Sequence, residues 1–284
     1  MVISYKSWFC ILAGSWGGGT IRVGFIGAGR VGCSLARYFS ERNVTVSGLF
    51  GRSGVPEEFR RFRTIDEVFF NSDVILVTVT DSAIAGIWNG SDKEAFNNSN
   101  KILCHCSGSL SSEIFTGANP QRVCSVHPML AFPGKNVPID VISTAFFTIE
   151  GGNKALKAVR RILDICGNPY REIPPECKVK YHAAACFASN FMTAVCAEAF
   201  SLMNRCGFSE EEARTALSPL IRGNAENICG YGIKPALTGP VSRGDALTVN
   251  KHMAELDGRL LEVYKLLSAE LAELSGHEEI LGIT

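Results

Sequence analysis

The sequence predicts an open, mostly parallel α/β sheet covered by helices on both faces, followed by an all-helical second half. Three observations carry this. Short apolar runs alternate with amphipathic stretches from Ile21 to about Glu172. A glycine-rich turn, Gly27-Ala28-Gly29-Arg30-Val31-Gly32, joins the first apolar run to the first amphipathic stretch. Beyond Pro174-Pro175 the strand signals stop and only helical periodicity remains. Strands buried on both faces read as continuous apolar runs, and they belong to parallel sheets whose crossovers are helices.

In chain order, the predicted strands are Ile21–Ile26, Val44–Phe50, Val74–Val79, Ile102–Cys106, Val123–Val126 and Ala145–Ile149, with Tyr170–Ile173 as an edge strand. Apolar residues at helical spacing predict helices over Arg30–Arg42, Ser82–Trp88 and Lys154–Cys166. In the second half, Lys178–Cys206 is rich in Ala and Phe nearly all round, as expected of one long helix buried on most faces. Ser209 and Glu212 form an S-x-x-E capping box that opens a helix to about Gly230. Two more helices are expected over Ala246–Leu256 and Arg259–Leu274. The organisation read from this is a loosely held extension over residues 1–20, an α/β domain over 21–174 and a helical domain over 175–284.

Composition narrows the functional classes. The 284 residues are 46% hydrophobic and 20% charged, enough for one large or two ordinary globular domains. Lys+Arg and Asp+Glu balance at 28 each, which gives no support for a general nucleic-acid or membrane-surface binder; a small-molecule partner is expected instead. The 11 cysteines include no C-x-x-C pair and fall mostly inside predicted strands and helices, so they read as reduced residues of a cytoplasmic protein. Cys104-His105-Cys106 with His127 matches no zinc spacing, and no metal is expected. Trp8–Gly14 is too short to span a bilayer and lacks the features of a good signal peptide.

The glycine turn is G-x-G-x-x-G between a strand and a helix, the context in which it binds a dinucleotide. Gly27 allows the tight turn, Gly29 lets a pyrophosphate approach the backbone, and Gly32 lets the helix lie close; Ala28, Arg30 and Val31 complete the loop. The phosphates would sit on the free N–H groups and positive dipole end of the helix. The second strand ends in Leu49-Phe50-Gly51-Arg52-Ser53, with no acid until Glu57. A guanidinium and a hydroxyl there suit a ribose 2′-phosphate, so NADP(H) is the expected cofactor. Ligands of open α/β sheets lie beyond the carboxyl ends of the strands, which draws Thr80, Asp81, Ser107, Gly108 and His127 toward the cofactor and substrate. Asp81 reads first as the N-cap of the helix from Ser82 and only second as a chemical group. His105, one residue inside its strand, reads as a core histidine.

At about 100° per residue, Lys178, His182, Cys186, Ser189 and Asn190 share roughly a 120° stripe of the long helix. Polar groups on an otherwise apolar helix are costly to bury unless paired, so the stripe is expected to face a polar cleft. The loop Gly239–Asp245 adds Arg243, suited to clamping a carboxylate or phosphate, and Asp245, which reads either as a ligand contact or as a helix N-cap.

The segments VGFIGAGRVG, HCSG (His105–Gly108), SVHP (Ser125–Pro128), YHAAACFASN (Tyr181–Asn190) and LTGPVSRGD (Leu237–Asp245) give the chain a family resemblance from about Ile21 to the C-terminus. It resembles Rossmann-type NADP-dependent oxidoreductases with a helical C-terminal domain of unknown function. These are relatives of pyrroline-5-carboxylate reductase and of the 6-phosphogluconate and β-hydroxyacid dehydrogenases. The resemblance implies a doubly wound Rossmann sheet, a second domain like the C-terminal one of 6-phosphogluconate dehydrogenase, and a homodimer built through the helical domain. In the related dehydrogenases the first long helix carries a Lys and an Asn that bind and protonate the substrate. Here His182 takes the proton-donor slot and Asn190 the orienting slot, with Ser189 beside it. The expected activity is NADP(H)-dependent reduction of a C=O or C=N bond on a small anionic metabolite. A non-catalytic NADP(H) sensor is the alternative.

Overall fold

A computed structural model describes residues 20–52 and 54–281; the extension expected before residue 20 and the candidate Ser53 fall outside them. The first part of the chain runs β1 (Arg22–Ile26), α1 (Arg30–Glu41), β2 (Thr45–Phe50), β3 (Arg61–Phe62), α2 (Ile65–Asn71), β4 (Val74–Val77), α3 (Asp81–Asn89), α4 (Lys93–Asn97) and β5 (Ile102–His105). It continues with β6 (Val123–Met129), α5 (Ile139–Ser143), β7 (Phe146–Gly151), α6 (Asn153–Cys166) and β8 (Tyr170–Glu172). The strands form one sheet in the order β3-β2-β1-β4-β5-β6-β7-β8. Every pairing is parallel except β6 with β7, which runs antiparallel from Cys124↔Gly151 to Met129↔Phe146. The strand order reverses between β1 and β4, which opens a crevice at their carboxyl ends.

Alternation along each strand explains why both faces are covered. Val74 and Leu76 of β4 join a cluster with Leu35, Tyr38 and Phe39 of α1 and Leu156 and Ile162 of α6. Ile75 and Val77, one residue out of phase, join the opposite cluster with Val68 of α2, Ile84 and Trp88 of α3 and Phe96 of α4. A one-residue slip would exchange the two sets, so the register is fixed by both clusters at once. Trp88 seats its indole N–H on the Thr116 carbonyl at 2.8 Å and meets Phe96 edge-on at 5.4 Å.

The helical part holds α7 (Lys178–Cys186), a π-helical turn over Phe187–Phe191, α8 (Met192–Arg205), α9 (Glu210–Tyr231), α10 (Ile233–Ala236), α11 (Ala246–Glu255) and α12 (Gly258–Ser275). The expected single helix Lys178–Cys206 is therefore divided. An i→i+5 turn inserts a residue into the helical phase, so the stripe that begins at Lys178 and His182 is not continued in register by Ser189 and Asn190. The expectation of burial on most faces also fails within this chain: α8 contains no buried residue, and Phe187, Phe191, Met192 and Val195 are exposed. Pro175–Arg205 carries a window of mean hydropathy 1.3, long and apolar enough by composition alone to cross a membrane.

Compact packing divides the chain into residues 1–189 and 190–284, so α7 belongs to the sheet unit. In the second unit the capping box forms as expected: Ser209 Oγ accepts from Glu212 N at 3.3 Å, and Glu212 accepts from Ser209 N at 2.8 Å. Among its described residues this unit buries a small apolar cluster, Val241, Val249, Ala272 and Ile280, packed against Met253 and Tyr264.

Candidate active site and dinucleotide loop

The three glycines of the loop between β1 and α1 do different work. Gly27 has φ +123° and donates its N–H to the Phe50 carbonyl at 2.8 Å; a Cβ there would lie 2.6 Å from the Thr78 carbonyl oxygen. A Cβ on Gly32 would lie 2.0 Å from the Gly27 carbonyl, so the helix can come this close only with glycine. Gly29 differs: a Cβ there would meet nothing nearer than Thr78 O at 3.9 Å, leaving its outer face open to a ligand. Gly29 is also the N-cap of α1, without a side-chain cap or an acid in the first turn. The first amide groups of α1 are thus left to an anion, which is what a pyrophosphate requires. Ala28 is buried, Val31 packs partly on the core, and Arg30 is exposed. Thr78, which the sequence reading passed over, donates its hydroxyl to the Gly27 carbonyl at 2.8 Å and braces the turn.

Beside this loop, Phe50, Gly51, Arg52, Arg61, Phe62 and Arg63 line a cleft of about 600 Å³. Arg61 donates to the Arg52 carbonyl at 3.3 Å, tying β3 to the segment that leaves β2. Sequence reasoning found Arg52 but not its two neighbours, because a two-residue strand leaves no periodic signal.

A second group of residues gathers at the carboxyl ends of β4, β5 and β6. Thr80 is the N-cap of α3 with no side-chain cap bond, and Asp81 opens the helix itself. The reading of Asp81 as the cap is corrected here. Its Oδ2 accepts the Ser107 hydroxyl at 2.7 Å and the Ser109 hydroxyl at 3.0 Å, so the carboxylate faces the β5 loop rather than its own helix. Ser107 Oγ in turn accepts from the backbone N–H groups of Ser109 and Leu110. Gly108 lies between two imidazoles. A Cβ there would stand 2.4 Å from His182 Nδ1 and 3.0 Å from His127 Nε2. The His127 and His182 rings meet edge-on with centroids 5.9 Å apart, and Tyr181 OH hydrogen-bonds His127 Nδ1 at 2.8 Å. His182 Nδ1 is buried and has no hydrogen-bond partner. A buried ring nitrogen without a partner is uncommon in native proteins and calls for a specific explanation.

Beneath the imidazoles lies Lys178, fully buried and donating to the Ser107 carbonyl at 2.8 Å and Ser125 Oγ at 2.5 Å. Burial pulls its ammonium down to about 8, against the attraction of Glu150 and Asp81. Burial first, then the charges of Lys178 and His182, push His127 down to about 4. His105 also falls to about 4, chiefly by burial; it accepts from Ser107 N at 3.2 Å and pairs with the Ser111 carbonyl at 3.1 Å. It is the satisfied core histidine expected of its place in the strand. Lys178 was legible only as a member of a helical stripe, and nothing in the sequence marks it as buried. Tyr181 and Ser125 lay inside quoted segments without a role, and only the fold pairs them with His127 and Lys178.

The remaining candidates lie apart from this group in sequence. Ser189 and Asn190 are exposed in the π-helical turn, where the first unit ends and the second begins. Within the second unit, Arg243 is exposed in a short 3-10 turn. Asp245 caps α11: it accepts from Thr248 N at 3.1 Å and Thr248 Oγ1 at 2.7 Å, the capping alternative of its two readings.

Comparison with known proteins bears on the fold. Residues 16–128 match the model of a Rossmann-like domain, and residues 145–271 match that of a domain of unknown function, DUF2520. The chain thus resembles a Rossmann-like domain followed by a DUF2520 domain. It is similar to protein TM1727 from Thermotoga maritima at 29% identity, with TM-score 0.70 over 90% of this chain and 99% of that one. It shares the fold of the candidate NADP oxidoreductase BF3122 from Bacteroides fragilis (23% identity, TM-score 0.67, 89% and 98% covered). It also shares the fold of a Plasmodium falciparum pyrroline carboxylate reductase solved with NADP bound (17%, 0.62, 92% and 98%). No curated protein matches the sequence.

Proposed function

We propose that this protein is an NADP(H)-dependent reductase acting on a C=O or C=N bond of a small anionic metabolite. The observation that carries the reading is the convergence of two imidazoles on Gly108, with an unsatisfied buried nitrogen on His182, beside a loop whose one open glycine is Gly29. The bound dinucleotide supplies the hydride. Gly27–Gly32 and the first turn of α1 hold its pyrophosphate, and Arg52 takes the 2′-phosphate, with Thr80 and Asp81 in the cofactor's neighbourhood. His182 delivers the proton that the substrate oxygen or nitrogen takes up as its carbon is reduced. His127, kept neutral, offers one hydrogen bond without a charge, as a neutral imidazole can when it polarises a carbonyl. Ser107 and Gly108 form the wall on which the reacting groups rest, and Lys178 fixes that wall from below through the Ser107 carbonyl.

The exposed apolar residues of α8 and the small cluster inside the second unit support a homodimer built on the helical half. A domain of that size needs more burial than this cluster supplies. The same residues argue less well for a bilayer, because Lys178 at the start of the apolar stretch is committed to Ser107 and Ser125.

The test is His182→Ala. NADPH affinity should stay within about twofold, while turnover on a panel of ketones, imines and hydroxy acids should fall about 10²–10⁴-fold. Tight NADPH binding with no turnover by the wild type on any member would favour the sensor instead.

A further inference from the structure

The cleft beside the dinucleotide loop holds three guanidinium groups within one short stretch of backbone. Arg52 leaves the end of β2, while Arg61 and Arg63 begin and follow β3; all three are exposed, and none forms a salt bridge among the described residues. The acid recorded beside them, Glu67, is occupied in accepting from the Arg63 backbone N–H at 2.9 Å. Three cations that line one cleft repel one another unless an anion lies between them. The cleft is also physically joined to the phosphate loop. Gly51 packs so tightly on Ala28 that a Cβ would sit 2.6 Å from the Ala28 methyl, and Gly27 N–H bonds to the Phe50 carbonyl at 2.8 Å.

We propose that Arg61 and Arg63 act with Arg52 as a three-armed cradle for a phosphate monoester, the 2′-phosphate of a dinucleotide seated on Gly27–Gly32. This rests on the nucleotide-binding reading above and adds two residues that decide cofactor choice. A dinucleotide whose pyrophosphate lies at the start of α1 directs its adenosine ribose toward the end of β2. There Arg52 approaches from one strand end and Arg61 and Arg63 from the next. Guanidinium forks can each offer two parallel N–H donors to phosphate oxygens, so three of them encircle a dianion rather than touch it once. Arg61 has a second task, because its bond to the Arg52 carbonyl at 3.3 Å holds the Arg52 backbone against the cleft. Loss of Arg52 alone should therefore leave part of the preference in place.

Calorimetry on the full chain tests this with NADPH, NADH, 2′,5′-ADP and 5′-AMP as titrants, at low and moderate salt. In the wild type, NADPH should bind at least tenfold tighter than NADH, and 2′,5′-ADP should be preferred to 5′-AMP by a similar factor. Arg61→Gln and Arg63→Gln should each weaken NADPH about tenfold and leave NADH within twofold; the double variant should bring the two cofactors close to equality. The three arginines lie on the surface, so unchanged thermal unfolding should accompany these losses. Equal wild-type affinities, or a double variant that keeps the wild-type NADPH/NADH ratio, would overturn the cradle while nucleotide binding itself stands. Tight binding of inorganic phosphate with no preference between 2′,5′-ADP and 5′-AMP would also overturn it. A wild type that binds none of the four nucleotides would remove the nucleotide-binding reading as well.

Discussion

Lowering the pH from 7 to 5 loads protons onto the unfolded chain that the folded site refuses. His105 and His127 titrate near 6.5 when exposed and near 4 in the fold, the first chiefly through burial, the second through burial and the facing charges of Lys178 and His182. A group whose folded pKa is depressed leaves stability complete above its unfolded pKa. That stability is then lost between the unfolded and folded values as the pH falls. The window is therefore pH 6.5 to 4, and the loss levels off below it. At about 1.4 kcal/mol per pH unit of separation, each histidine removes about 2 kcal/mol by pH 5 and about 3 kcal/mol by pH 4. The part-exposed His127 should fall at the lower end. The assay is urea unfolding at several pH values for the wild type and His127→Asn, with the imidazole Cε1 protons followed by NMR. Carboxylates contribute to acid loss in both proteins and drop out of the difference. The wild type should lose about 2 kcal/mol more than the variant between pH 7 and 5. A His127 resonance titrating at 6.5 or above, or two proteins with the same pH dependence, would refute the environment described for this ring.

Three further outcomes test the site. Gly29→Val should unfold at the wild-type temperature yet lose dinucleotide binding, because a Cβ there comes no nearer to the protein than Thr78 O at 3.9 Å but enters the space a pyrophosphate needs. Gly32→Ala should do the reverse in part, costing about 1–3 kcal/mol in chemical denaturation, because its Cβ would collide with the Gly27 carbonyl. Tyr181→Phe removes the partner of His127 Nδ1 and should cost about 1 kcal/mol of stability. NMR should show the His127 ring nitrogens redistributing their proton; an unchanged ¹⁵N pattern would mean that the 2.8 Å contact does not fix the tautomer.

The central strands of the sheet, β4 and β5 above all, were legible because both of their faces are buried and apolar, a pattern that survives without knowledge of neighbours. The phosphate loop was legible for a similar reason: its roles follow from local sterics at Gly27 and Gly32. What escaped depends on tertiary placement. β3 is two residues long, the π-helical turn over Phe187–Phe191 has no compositional mark, and lysine is usually exposed, so the burial of Lys178 was not foreseen. His127 and Tyr181 stand 54 residues apart, and only the stacking of α7 over the sheet ends brings them together. Helical phase places His182 one turn beyond Lys178 on α7, and the phase does not carry through to Ser189 and Asn190, where the period changes.

The attachment of α7 to the sheet unit governs how this protein can be dissected. A fragment ended at Pro174 would keep the whole sheet but lose Lys178, Tyr181 and His182. The Ser107 carbonyl and Ser125 hydroxyl would then lose the ammonium that bridges them, and His127 Nδ1 its phenol. Such a fragment should still fold around its two apolar clusters and bind nucleotide, yet present a loosened β5 loop with freely exchanging Ser107–Gly108 amides. Extending it through Ser189 should restore amide protection, so a difference of fifteen residues at the cut would separate a bare sheet from one with its β5 loop braced.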